Sequence, residues 1–288
     1  MKIIDVKPNS PEWHAWRQNK IGASMVANIM GEGFLTSYQQ YLNMLGLFEI
    51  KQTQAMAEGN LYEAEAREAF EGIMGFKLPP LCGESAEYYY MSASLDGINF
   101  ENKCILEIKT GGQKATEDAR AYLIPMKYRI QMQYQLFISE MDTCYYYFWD
   151  KINKVGYPVQ VLRDEALINK IVKEVHKFWR NYIDFIPPAF TDRDYVERSG
   201  EWDEKAKALL EVQSVIKKLE EIETNLRDEL IGLSEGQNSF GGGIRLTKVV
   251  RGGAVQYSDI PELQGVDLNK YRKAPVESWR VTKIKEGT

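Results

Sequence analysis

Short runs of β-forming residues alternate with stretches of helical periodicity along this chain, the pattern of an α/β fold. Residues 87–95 (Glu-Tyr-Tyr-Tyr-Met-Ser-Ala-Ser-Leu) predict a strand that delivers Asp96 to its end, with Asp96-Gly97 in or beside a turn. Residues 103–109 (Lys-Cys-Ile-Leu-Glu-Ile-Lys) predict its partner in one β-hairpin. Alternation along that strand puts Glu107 and Lys109 on one face and Ile108 on the other. Residues 141–150 and 155–162 predict two further strands that complete a mixed sheet with the hairpin. The aromatic run 145–149 suits nucleic-acid stacking, but the preferred reading is a buried strand.

The helical stretches flank these strands. Ser10 and Pro11 mark a helix start, followed by a short turn at 20–24 into a helix over 25–30. Tyr38 to Phe48 looks helical. Residues 56–68 read as an amphipathic helix with apolar Leu61, Ala64 and Ala69-Phe70, and Glu63 toward its middle. In a helix over 127–137, Tyr128, Gln131 and Gln135 share a polar face suited to water, phosphate or base edges, while Met132 and Leu136 pack inward. A helix over 164–185 stops before Pro187-Pro188. A longer one, 201–233, carries a heptad through Leu209, Val212, Ile216, Leu219, Leu226, Leu230 and Leu233, broken at Glu223. That helix fits an antiparallel arm within the chain or a contact between subunits. Gly236 to Gly243 reads as a linker or hairpin turn, and 244–250 with 279–284 as strands of a small β unit. The expected division is therefore a core over 1–163, a helical arm over 164–235 and a β-containing unit over 236–288.

Composition narrows the class. The 288 residues are 44% hydrophobic and 12% aromatic, so the chain is globular. It has no apolar run near the ~20 residues a membrane span needs. The first residues lack a signal-peptide pattern, and the cytoplasm is the expected location. Cys82, Cys104 and Cys144 form no Cys-x-x-Cys pair, and His14 and His176 are the only histidines, so zinc, iron–sulfur and histidine-rich sites are disfavoured. Oxygen ligands remain, which favour Mg²⁺ or Mn²⁺. The net charge of −5 does not exclude DNA, because binding needs only a local basic track. Lys103, Lys109, Lys114, Arg120, Lys127 and Arg129 outnumber the acidic residues between 103 and 129. A second basic and aromatic cluster (Arg245, Lys248, Arg251, Lys270, Tyr271, Arg272, Lys273, Trp279, Arg280, Lys283) suggests a DNA-guiding or partner-docking module.

Two carboxylates and a lysine on adjoining strands are what metal-assisted phosphodiester hydrolysis requires. Glu-x-Lys alone carries little weight, and Glu49-Ile50-Lys51 is a second copy without the strand–turn context. The plainer alternative is that Glu107 and Lys109 are partners on a solvated face. Arg17 and Ser24 are suited to holding a phosphate, by a forked charge and a hydroxyl; alternatively Ser24 merely caps the following helix.

In order along the chain, Trp13-His14-x-x-Arg17 with Ile21-Gly22-Ala23-Ser24, Gly59-x-x-x-Glu63, Ser94-Leu95-Asp96-Gly97, Glu107-Ile108-Lys109 and Tyr128-x-x-Gln131-x-Gln133-Tyr134 resemble the lambda-type phage exonuclease, or YqaJ-type viral recombinase, branch of the PD-(D/E)xK nucleases. The resemblance covers roughly residues 8–150. Met25 departs from it, standing where relatives often have an acidic residue. The resemblance implies a restriction-endonuclease-like core, a central mixed sheet flanked by helices, to which a C-terminal helical arm and small β unit are added. It implies Asp96, Glu107, the Ile108 carbonyl and Glu63 as ligands of Mg²⁺, for which Mn²⁺ can substitute. Lys109 would orient or deprotonate the attacking water, Gln131 would support that water or the scissile phosphate, with Tyr128 close by, and Arg17 and Ser24 would hold a 5′-phosphate. The implied activity is 5′-to-3′ digestion of linear double-stranded DNA, leaving 3′ single strands for an annealing protein in phage-type recombination. A trimeric ring is the implied assembly. Competing expectations are a structure-specific or restriction-like endonuclease on the same core and a non-catalytic DNA-binding scaffold.

Overall fold

The structure, a computed structural model, describes residues 1–49, 54–249, 260, 261 and 266, with 54–60 described by backbone alone. The first half runs β1 (Lys2–Ile4), α1 (Pro11–Arg17), β2 (Ile21–Gly22), α2 (Ala23–Ile29), α3 (Ser37–Met44), α4 (Gln54–Met74), β3 (Leu81–Glu84), β4 (Met91–Leu95), β5 (Gly97–Asn99) and β6 (Cys104–Thr110). Then come α5 (Gln113–Arg120), α6 (Met126–Ser139), β7 (Thr143–Asp150), β8 (Val155–Leu162) and α7 (Glu165–Ile183). Two mixed four-stranded sheets form, in the orders β1-β3-β4-β2 and β5-β6-β7-β8. In the first, β2 runs parallel to β4; in the second, β6 runs parallel to β7.

The expected hairpin between 87–95 and 103–109 is corrected. β4 pairs with β3 and β2, whereas the hairpin partner of β6 is β5, in the register Gly97↔Leu106 and Ile98↔Ile105. Asp96 is the bend between the two sheets. Its side chain causes the break: Oδ2 accepts the Ile108 backbone N–H at 2.7 Å, a bond that otherwise belongs to a strand ladder. β4 also starts later than expected, because the Met91 N–H closes a turn onto Tyr88 O.

β6 is buried on both faces. Leu106 and Ile108 pack with Ala66 and Phe70 of α4, Leu78, Tyr147 and Trp149. The larger core gathers Ile105, Met91, Leu95, Met132, Leu136 and the apolar stripe of α7. Met132 and Leu136 do pack inward, and the aromatic run of β7 is buried from Tyr146 to Trp149. On α4 Phe70 is buried and Ala69 packs beside it as expected, but Leu61 and Ala64 are exposed, and Ala66 makes the remaining contact.

Asp164 caps α7, accepting the Leu167 N–H at 3.0 Å. Ile168, Ile171, Val175, Phe178 and Trp179 fall on one helical face, and all are buried. α7 is therefore part of the core, and the chain divides after Tyr195 rather than after 163. The helix beginning at Ser37 ends at Met44, short of the expected Phe48.

The second unit contains α8 (Glu201–Leu233), then β9 (Ser239–Gly241) and β10 (Ile244–Leu246) paired antiparallel through Gly242-Gly243. α8 is about 50 Å long and none of its residues is buried. β10 ends at Leu246, short of the expected Val250. The expected strand at 279–284, the basic cluster from Arg251 to Lys283, and Ile50-Lys51 of the second Glu-x-Lys copy lie outside the described residues.

Candidate active site

Glu107 sits in the middle of β6 and is 1% exposed, so it does not lie on a solvated face. A buried carboxylate must be compensated by donors and charge, and α6 supplies two donors. Gln131 Nε2 donates to Glu107 Oε1 and Gln135 Nε2 donates to Oε2, each at 2.6 Å. Their i, i+4 spacing is what puts both amides on one helix face. Lys109 Nζ completes the set with an ion pair to Oε1. The stripe expected to meet water, phosphate or bases thus grips a carboxylate instead.

The role of Gln135 went unassigned at the level of sequence, although its place on the stripe was evident. Its own Oε1 is buried without a hydrogen-bond partner among the described residues. The amide gives its N–H to Glu107 at the expense of its acceptor. Gln135→Leu, which keeps the volume and removes the donor, is expected to destabilise the protein by about 1.5–3 kcal/mol. Urea unfolding would measure this, and an unchanged midpoint would show that Glu107 does not depend on that bond.

Asp96 is held well above the usual carboxylate range, first by burial and then by repulsion from Glu107 and Glu63. Lys109 and the Ile108 N–H oppose the rise without cancelling it. Burial pulls the Lys109 ammonium down, but Glu107 and Asp96 outweigh it, so the group sits above the ordinary lysine range. Tyr128 places its ring 5.1 Å from Lys109 Nζ. Glu63 lies on α4 and pairs with Arg67 at 2.5 Å.

Among the described residues no three His, Cys, Asp or Glu side chains form a ready metal cage. The donor chemistry nevertheless fits a hard cation. Asp96, Glu107 and Glu63 are all oxygen donors and close enough to repel, which is the strain a divalent ion relieves. Glu63 would have to leave Arg67 to join them.

The N-terminal residues build a second feature beside this one. Ser10 caps α1, accepting the Trp13 N–H at 3.2 Å. Trp13 Nε1 donates to Ser94 Oγ at 2.9 Å, which ties α1 to β4. The Arg17 guanidinium lies 4.2 Å above the Trp13 ring. A Cβ on Gly22 would come within 3.1 Å of Arg17 Nη2, so only glycine leaves the guanidinium its full room. Burial lowers Arg17 from its ordinary value, and no carboxylate among the described residues offsets that. Gly22, not Ser24, is the N-cap of α2, so Ser24 is not merely a capping residue. Arg17, Gly22, Ala23, Ser24, Ser92, Ser94 and Gln131 line a pocket of about 70 Å³. That is room for a few waters or a small anion.

Gln131 lines the pocket and also holds Glu107. The basic track is more dispersed than expected. Lys103 pairs with Asp142, Lys114 with Asp118 and Arg120 with Asp150, whereas Lys109 and Lys127 flank the ring of Tyr128.

A mixed-sheet α/β core whose Asp96, Glu107 and Lys109 converge in this way has the PD-(D/E)xK fold. The alkaline exonuclease LHK-Exo from Laribacter hongkongensis is similar over 62% of this chain and 94% of its own, with a TM-score of 0.55 at 24% identity. LHK-Exo in complex with dAMP gives 0.54 at 23% identity over the same shares. Residues 12–142 match the YqaJ-like viral recombinase domain. A Bacillus subtilis (strain 168) relative, uncharacterized protein YqaJ, is 27% identical over 179 residues. The match spans 60% of this chain and only 56% of that protein. No helix among the described residues is long and apolar enough to cross a membrane.

Proposed function

We propose that this protein is a Mg²⁺-dependent 5′-to-3′ exonuclease acting on the ends of linear double-stranded DNA. The observation that carries this reading is the sharing of Gln131 between an anion-sized pocket and the buried Glu107. A terminal 5′-phosphate in the pocket would leave the next phosphodiester beside Glu107, Asp96 and Lys109. Arg17 would hold the terminal phosphate by its forked charge and Ser24 by its hydroxyl. Asp96, Glu107, the Ile108 carbonyl and Glu63 would hold the metal, with Mn²⁺ a substitute. Bound there, the metal would lower the pKa of a water and offset charge on the scissile phosphate.

Lys109 keeps its proton at neutral pH, so it orients the water and the phosphate as a donor rather than acting as a base. Tyr128 limits the space in which that ammonium moves. Gln131 and Gln135 fix the orientation of the Glu107 carboxyl by donating to both of its oxygens. The product of such a cut is a deoxynucleoside monophosphate, the class of molecule bound in the LHK-Exo complex.

Three substrates incubated with Mg²⁺ test the reading: a 5′-phosphorylated linear duplex, the same duplex with 5′-hydroxyl ends, and a closed circle. Fast loss of one strand from the phosphorylated duplex alone is expected. Cutting of the circle would favour an endonuclease, and no cutting with either metal a DNA-binding scaffold. Arg17→Ala is expected to erase the preference for phosphorylated over hydroxyl ends; an unchanged ratio would remove Arg17 from the pocket. The assembly that suits the proposed activity is a trimeric ring closed around DNA, passing the 3′ strand to a single-strand annealing protein. A monomer on DNA in solution scattering would remove the ring.

A further inference from the structure

Phe34 presents its ring to solvent, 74% exposed, although the loop that carries it is tightly fixed. Asn28 Oδ1 accepts the Leu35 N–H at 3.1 Å, and Asn28 Nδ2 in turn donates to Gln40 Oε1 at 2.8 Å. From the other side Arg193 Nη2 donates to the carbonyls of Gly33 and Phe34, at 3.0 and 2.6 Å. Thr36 caps α3 through the Gln39 N–H and donates its own hydroxyl to Asp194. Even the spacing of the loop is demanding: a Cβ on Gly33 would fall 1.9 Å from Asn28 Oδ1. These bonds fix the loop backbone, so the exposed ring is presented from a rigid support.

Its neighbours say what it faces. Lys127 Nζ lies 3.6 Å from the centre of the Phe34 ring and 4.9 Å from that of Tyr128. Tyr128 is the ring against Lys109. Phe34 is thus connected to Lys109 through three successive cation–ring contacts. Lys127 lies on one side of the exposed ring, and an aromatic face beside an ammonium is the pair that grips single nucleotides: the ring takes a base and the cation its phosphate.

We infer that Phe34 is a stacking platform for one nucleobase of the DNA end, with Lys127 holding the phosphate of that nucleotide. The inference rests on the nuclease reading for its ligand and adds a base contact that neither the pocket nor the carboxylates supply. Stacking of this kind is blind to base identity, which suits an enzyme that must advance through any sequence.

Binding is measured by fluorescence anisotropy on full-length protein carrying Lys109→Ala, so that no cleavage intervenes. The probes are duplexes with a single abasic nucleotide at each of the first few positions from the 5′ end. The expected result is that one position weakens binding by roughly 5- to 150-fold. Phe34→Ala should show the same loss on intact DNA and no further loss at that position, while Phe34→Trp restores the sensitivity. Phe34→Ala with the full sensitivity at every position would overturn the platform. Because the ring is exposed, Phe34→Ala should unfold at the same temperature as the parent. The two readings fail differently: a protein that cuts DNA normally but has no Phe34-dependent position loses the platform alone, whereas one that binds no DNA loses both.

Discussion

Lys109→Ala is expected to slow cleavage of duplex DNA by at least about 10²–10³-fold, the cost of removing one preorganised charge from a site where negative charge develops. The lysine is well placed for so large an effect. It sits at the end of β6 on the same face as Glu107, paired to that carboxylate and flanked by Tyr128. Its ammonium is held above the ordinary lysine range, so it stays a donor throughout neutral pH. DNA affinity should change little, because one lysine is a small part of the phosphate contacts, and the salt slope should fall by no more than about one. Single-turnover cleavage and a salt titration of binding separate the two quantities. Cleavage at the parent rate would overturn the catalytic assignment; an equal loss of binding and cleavage would make Lys109 a docking residue only.

Much of this site is legible in the sequence because it depends on local periodicity. Period 2 on β6 separates Glu107 and Lys109 from Ile108, and the structure keeps that separation. Period 3.6 on α6 aligns Gln131 with Gln135 and turns Met132 and Leu136 inward. What the sequence hides is set by distant pairing. β2 lies beside β4 although about seventy residues separate them, and nothing local to 87–95 reveals that partner. The hairpin expectation failed for this reason: Asp96 joins two sheets with one residue, and a single bend resembles a hairpin turn. The target of the glutamine stripe was hidden likewise, because it depends on how α6 lies across β6. On α4, alanines at 64, 66 and 69 make the apolar stripe ambiguous, and only the bulk of Phe70 against Tyr147 fixes its phase.

The same crowding that suits a metal should make the metal-free protein less stable than it could be, and Asp96→Asn should expose this. Asp96 lies in a half-buried bend beside Glu107 and Glu63, and its carboxyl is raised by burial and by both neighbours. A carboxylic acid whose pKa is higher in the folded state favours folding while protonated. That advantage is complete below the ordinary carboxylate range and is lost as the pH rises through the raised folded value. Above the ordinary carboxylate range Asp96 therefore works against the fold, whether it ionises beside its neighbours or takes up a proton. Asparagine keeps the shape and can still accept the Ile108 N–H, but it carries no charge. The variant is expected to gain about 0.5–2 kcal/mol of stability at neutral pH in chelator, as at other sites where activity and stability conflict. The gain should disappear as the pH falls toward 4, where the parent is protonated as well. Magnesium should stabilise the parent, by about 2.7 kcal/mol at a hundredfold excess over its dissociation constant, and stabilise the variant far less. Cleavage by the variant should be lost. Thermal unfolding at neutral and acid pH, with chelator and with Mg²⁺, gives all four comparisons. If Asp96→Asn is destabilising at neutral pH, or gains as much from Mg²⁺ as the parent, Asp96 is a structural hinge between the sheets and not a metal ligand.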